Sequence, residues 1–158
     1  MESSEALRVA VVGAGGVGGF FGALLARAGH DVSFLARGEN LRAIRERGLH
    51  VKGTSGEFDV FSRAFESPDE IGPCALVLFA VKTYDTDAAA LAVPPLLASD
   101  SRVLTLQNGV ESAGKLRAAR GIGPNAVLAG CAYVQATRTA PGCIEQSGGP
   151  CRIVFGES

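Results

Sequence analysis

The stretch Arg8-Val9-Ala10-Val11-Val12-Gly13-Ala14-Gly15-Gly16-Val17-Gly18-Gly19 decides how the rest of the chain reads. Its first part, Arg8 to Val12, is apolar on both faces, as a central parallel strand must be when helices cover both sides of the sheet. Gly13 to Gly18 then has the spacing G-x-G-x-x-G, and an apolar helical segment follows, over about residues 16–28. Each glycine in that spacing has a physical task. Gly13 permits the tight turn, Gly15 lets a pyrophosphate approach the backbone, and Gly18 lets the helix pack closely on the strand. The phosphate would meet the unpaired N–H groups and positive dipole end of the helix. A ligand-free turn would leave so many glycines in one place without a reason. The pattern predicts a dinucleotide-binding turn between a strand and a helix.

Residues 9–26 carry no charge, a run close to the length of a membrane-spanning helix or a signal-peptide core. The glycines at its middle and the acidic Glu2 and Glu5 ahead of it argue against both. A buried strand, a tight turn and a buried helix account for it better. Gly29 is placed to end that helix in a left-handed conformation.

The second strand, residues 31–36, separates two cofactors. An NAD-binding protein usually places Asp or Glu about twenty residues beyond the motif, at the strand's carboxyl end, to bond the ribose 2′-hydroxyl. Here the strand ends in Arg37, and Asp31 stands at the opposite end. A guanidinium pairs with a 2′-phosphate where a carboxylate would repel it. NADP is the expected cofactor; the plain alternative for Arg37 is a solvated surface charge.

Further along, apolar β-branched runs alternate with helical patterns, the sequence form of a doubly wound, mainly parallel α/β sheet. A charged helix is expected over 40–47, then a hairpin from extended pieces at 49–52 and 58–63 around Thr54-Ser55-Gly56. Strands follow at 75–81 and 102–106, with helices at 86–97, interrupted by Pro94 and Pro95, and at 111–119. The last third reads as short strands at 126–135, 143–146 and 152–155 without intervening helices. The sheet is therefore expected to finish with antiparallel edge strands. Two strands deliver polar residues to their carboxyl ends, where ligands bind in open α/β sheets. Lys82 offers a cation to a phosphate; Asn108 offers an amide donor and acceptor.

The chain's 158 residues fit one domain of ordinary size, with no room for a second. The net charge of −1, without a block of like sign, excludes a nucleic-acid footprint and a polybasic membrane anchor. A small neutral or anionic molecule is the expected partner. The four cysteines form no C-x-x-C pair, and two histidines cannot complete a zinc-finger spacing, so no metal is expected. Reduced thiols point to the cytoplasm.

Taken in order, Gly13 to Gly19, Arg37, Val81-Lys82-Thr83 and Gln107-Asn108-Gly109-Val110-Glu111 resemble the successive signatures of the ketopantoate reductase (2-dehydropantoate 2-reductase) amino-terminal domain. The resemblance covers essentially the whole chain. It implies that Gly13, Ala14, Gly15, Gly16, Val17 and Gly18 hold the pyrophosphate, and that Arg37 and Lys82 hold the adenosine phosphate side. Asn108 would serve the nicotinamide ribose and touch substrate, and Ala136 would make a backbone contact with the cofactor. The implied reaction is hydride transfer from NADPH to 2-dehydropantoate, giving pantoate for pantothenate biosynthesis. The family's proton-donor lysine belongs to a helical carboxy-terminal domain, which the resemblance places beyond Ser158, so no catalytic residue is expected in this chain. Two alternatives accompany this reading: a non-enzymatic NADP-binding module or subunit, and a reductase of another 2-oxo acid.

Overall fold

The computed structural model describes residues 5–54, 56–107 and 111–157. Strand β1 (Arg8–Val12) lies inside a nine-stranded sheet, and its side chains alternate between two cores. Val9 and Val11 join a cluster with Phe20, Phe34 and Ile144, while Ala10 and Val12 join one with Val77, Phe79 and Leu116. Two fully covered faces are why this strand needs an unbroken apolar run.

The next elements are α1 (Gly16–Arg27), β2 (Asp31–Leu35), α2 (Gly38–Arg47), and the hairpin strands β3 (Leu49–Gly53) and β4 (Gly56–Val60). Then come β5 (Arg63–Phe65), α3 (Pro68–Ile71), β6 (Cys74–Phe79), α4 (Thr86–Ala90), β7 (Leu97–Thr105), α5 (Glu111–Ala118), β8 (Val127–Ala140) and β9 (Cys143–Gly156). Across the sheet the order is β5-β2-β1-β6-β7-β8-β9-β3-β4. The first six are parallel neighbours in the 3-2-1-4-5-6 order of a doubly wound nucleotide-binding sheet, with the switch point between β1 and β6. The antiparallel pairs lie on the other side, at β8·β9 and β3·β4, with β4 rather than β9 outermost. The fold is thus the expected Rossmann type, with β3 joined in parallel to β9.

The two edges of the sheet come close together. Val60 ends β4 at one edge and Arg63 begins β5 at the other, and three residue steps span at most about 11 Å. The sheet therefore curls around α1. A hollow lined by Val32, Asp59, Val60 and Arg63 marks the meeting of the edges. Enclosure explains the composition of α1: a side chain at Gly19 would strike Ile144 of β9, and one at Gly22 would strike Phe34 and Val11. Gly29, at φ 99°, follows the helix in the left-handed region, as expected.

Several expected boundaries are corrected. The helix expected over 86–97 stops at Ala90, because the Pro94 ring clashes with the carbonyl four residues earlier, and Pro94–Leu96 forms a single 3-10 turn instead. The helix expected from 40 begins at Gly38, with Arg37 in the N-cap position. The extended piece expected over 58–63 is divided between β4 and β5. Strand β7 begins at Leu97, earlier than 102, with a register break that Ser101 stitches by donating to the Cys74 carbonyl at 2.6 Å. The short strands expected after 126 merge into the long ribbon β8·β9, whose register breaks near Gln135 had read as ends. No described helix is long and apolar enough to cross a membrane.

Candidate functional site: a cleft over the switch point

The carboxyl ends of β1, β6 and β7 stay in register to the last residue: Ala80 N–H donates to the Val12 carbonyl and Leu106 N–H to the Phe79 carbonyl, both at 2.9 Å. Above them opens a cleft of about 870 Å³. Its lining includes Gly13, Ala14, Gly15, Gly16 and Val17 from the turn, Arg37 after β2, Lys82 after β6, and Ala136 of β8. Eight of the ten expected site residues therefore meet at one opening. Gly18 lies one helical step behind it, and Asn108 lies outside the described residues.

The turn is shaped by what cannot be added to it. Gly13 sits at φ 105°, where L side chains rarely go, and a Cβ there would come within 2.7 Å of the Val81 nitrogen. A Cβ on Gly18 would collide with the Gly13 carbonyl oxygen. Gly15 is different: a Cβ there would meet nothing within 4 Å, because that side is open cleft. Gly15 also caps α1 without a side chain, and the first turn of α1 contains no acidic residue. The leading N–H groups and the positive end of the helix thus face the opening with no side-chain cap and no acidic residue in their own turn. This arrangement fits a bound anion of pyrophosphate size and shape.

Gly16 has a role the motif did not foretell. A Cβ there would collide with the carbonyl of Ala136, so the glycine at position 16 lets β8 cross the start of the helix. That crossing brings Ala136, Thr137 and Arg138 to the cleft wall. The doubled glycine was the available signal, but its partner lies far along the chain.

Arg37 and Lys82 are exposed and form no ion pair among the described residues. Asp31 is spent elsewhere, accepting from Arg63 at 2.8 and 3.0 Å on the far side of the sheet. Glu66, just past β5, was not foreseen: it lines the cleft on the Arg37 side. Its only sequence signal is an acidic residue after a three-residue edge strand too short to notice.

Two buried amides frame the cleft. Gln107, 7% exposed, donates from Nε2 to the Val81 carbonyl at 3.0 Å and to the Thr86 hydroxyl oxygen at 2.8 Å. It ties the residues just before Lys82 and Asn108 to each other, and its Oε1 has no partner among the described residues. Asn40 is buried to the same degree and joins α2 to the glycine turn. The buried thiol of Cys74, held below the sheet, is pushed up in pKa by desolvation and is no candidate nucleophile. Among the described residues no cluster of potential metal ligands occurs, and all four cysteines are free.

A 3-2-1-4-5-6 sheet whose switch point carries an open, glycine-built helix N-terminus defines a Rossmann-type α/β protein. Within that class, the profile described as Ketopantoate reductase PanE/ApbA matches residues 9–158, and the chain belongs to that family. It is 32% identical to a 2-dehydropantoate 2-reductase of Mesorhizobium japonicum over 96% of this chain and 52% of that protein. It is 30% identical to the uncharacterized oxidoreductase YkpB of Bacillus subtilis, over 96% of this chain and 49% of the relative. The crystal structure of 2-dehydropantoate 2-reductase from Geobacter metallireducens superposes with a TM-score of 0.88 at 37% identity, over 96% of this chain and 49% of that one. The chain spans about half the length of these relatives.

Proposed function

We propose that this chain is the NADP-binding part of a 2-dehydropantoate 2-reductase. The observation that carries the reading is the bare N-terminus of α1 at Gly15, opening onto a cleft whose rim carries Arg37 and Lys82, neither in an ion pair among the described residues. The pyrophosphate would lie over Gly13 to Gly18, with Arg37 and Lys82 on the adenosine phosphate side. Asn108 and the Ala136 backbone would border the nicotinamide ribose. Arg37 can grip a 2′-phosphate through two parallel N–H bonds, and the exposed guanidinium gives up no internal partner to do so. When bound, the dihydronicotinamide supplies the hydride that turns the ketone of 2-dehydropantoate into the alcohol of pantoate, NADPH becoming NADP as a proton joins the oxygen. This chain's share is to hold and orient the cofactor; the proton donor and the second wall over the substrate belong to a helical domain outside it.

Glu66 favours a second reading, in which NADH is preferred and the carboxylate accepts from a ribose hydroxyl. Calorimetric titration of the chain with NADPH and with NADH separates the two. Tighter binding of NADPH is expected; equal or tighter binding of NADH overturns the choice of cofactor. With ketopantoate and NADPH, the chain alone is expected to turn over several orders of magnitude more slowly than a full-length relative. A missing general acid accounts for about a hundred- to ten-thousandfold, and lost substrate positioning for more. Comparable turnover would place a proton donor inside this cleft.

A further inference from the structure

Asn40 lies in the first turn of α2, three positions after the N-cap residue Arg37, whose carbonyl accepts from the Leu41 N–H of the same turn at 3.4 Å. The Asn40 side chain is turned away from solvent, and both its nitrogen and its oxygen are engaged. Nδ2 donates to the Ala14 carbonyl at 3.1 Å, and Oδ1 accepts from the Gly142 N–H at 2.8 Å. Because one partner is a carbonyl and the other an N–H, the amide can point only one way. Ala14 stands inside the glycine turn, and Gly142 stands in the connection between β8 and β9.

We infer that Asn40 is a positioning residue that sets the distance between the pyrophosphate turn and the Arg37 guanidinium, and so contributes to selection of a cofactor bearing a 2′-phosphate. The inference rests on the NADP reading above. A dinucleotide has a fixed span from pyrophosphate to ribose 2′-position, and a cation at the end of a long side chain helps only if its backbone is held at that span. Nothing else in the first turn of α2 reaches the glycine turn by a side-chain hydrogen bond among the described residues. Without Asn40, the start of α2 loses its side-chain ties to Ala14 and Gly142, and only the β1·β2 pairing and the core contacts of α2 hold Arg37 at that span. A 2′-phosphate then loses its partner, while the pyrophosphate keeps its N–H groups.

The test measures dissociation constants of NADPH and NADH for the 158-residue chain and for Asn40→Leu, Arg37→Ala and the double variant. Asn40→Leu keeps the branching at a somewhat larger volume and removes both hydrogen bonds. We expect NADPH to weaken about tenfold, NADH by much less, and the selective part of the loss to vanish when Arg37 is already alanine. Equal weakening of both cofactors, or the full selective loss persisting in the double variant, overturns the role of Asn40 while leaving the NADP reading intact. An unchanged NADPH to NADH ratio in Arg37→Ala alone overturns the NADP reading instead. If Asn40→Leu lacks a cooperative thermal transition, Asn40→Ser carries the same measurements and the same criteria.

Discussion

The floor of the cleft and its rim are built on different principles. At the floor, Gly13, Gly16 and Gly18 are fixed by backbone atoms that leave no room for a Cβ, so the proposed anion seat is a matter of main-chain geometry. At the rim, Arg37, Lys82 and Glu66 are exposed side chains on strand ends, and their contribution is charge. A floor of this kind accepts almost no substitution, whereas a rim can be retuned one residue at a time. The anion seat and the choice among anions should therefore separate experimentally.

The largest effects belong to the floor, which divides again within itself. Gly18→Val drives a branched side chain into the Gly13 carbonyl, and is expected to cost about 3 kcal/mol of stability as well as binding. Gly15→Val meets open space and an extended backbone, so stability should stay within about 0.5 kcal/mol while affinity for either cofactor falls roughly a hundredfold or more. Thermal unfolding beside calorimetry reads both. A Gly15 variant that binds normally would remove the helix N-terminus from the site.

At the rim, Arg37→Asp replaces a phosphate partner with a repelling charge. NADPH should weaken by about 1.5 to 3 kcal/mol, roughly tenfold to a hundredfold, with NADH little changed. Equal losses for both cofactors would break the distinction between floor and rim. Glu66→Gln should act in the opposite sense and more weakly, tightening NADPH about twofold by removing a screened, exposed negative charge. Looser NADH binding in the same variant, measured by the same titration, would support the second cofactor reading.

A further small effect lies outside both regions, on the enclosing sheet. His50 of β3 is held between Asp59 at Nδ1 and Glu57 at Nε2, both at 2.6 Å, and these hydrogen bonds raise its pKa above the ordinary 6.5. The protonated form is thus favoured in the folded state. Its stabilisation is fully present below 6.5 and is lost as pH rises through the raised value. All three groups are substantially exposed, so the stability difference between the parent and His50→Gln should be under about 1 kcal/mol at low pH and shrink toward alkaline pH. Urea midpoints across that range test it, and a difference growing with pH would refute the clamp.

The sequence made legible what local chemistry decides. Strand β1 and the start of α1 fall where the glycine spacing puts them, and Asp31 stands at the end away from the cleft, as its place in β2 required. What escaped depends on distant partners. The reason for Gly16 is a carbonyl at position 136, and the reason for Asn40 is a pair of backbone groups at 14 and 142. Read alone, Asn40 looks like an ordinary helix-initiating residue, because a short polar side chain near a helix start usually serves its own backbone. Glu66 was hidden by the brevity of β5, and the start of β7 by Ser99, Asp100 and Ser101, which lie in the register shift of its ladder.

The curled sheet has a bearing on how the molecule assembles itself. Gly16, Gly18, Gly19 and Gly22 all fall within α1, and each costs about 0.8 to 1 kcal/mol relative to alanine in a free helix. As an isolated segment α1 is therefore a poor helix, and it persists because β1, β2, β8 and β9 close around it. Of those strands β9 (Cys143–Gly156) is the last to leave the ribosome. Helix formation, closure of the sheet and creation of the proposed anion seat then become one cooperative event that waits for β9, so a nascent chain that stops before β9 is expected to carry the glycine motif without binding.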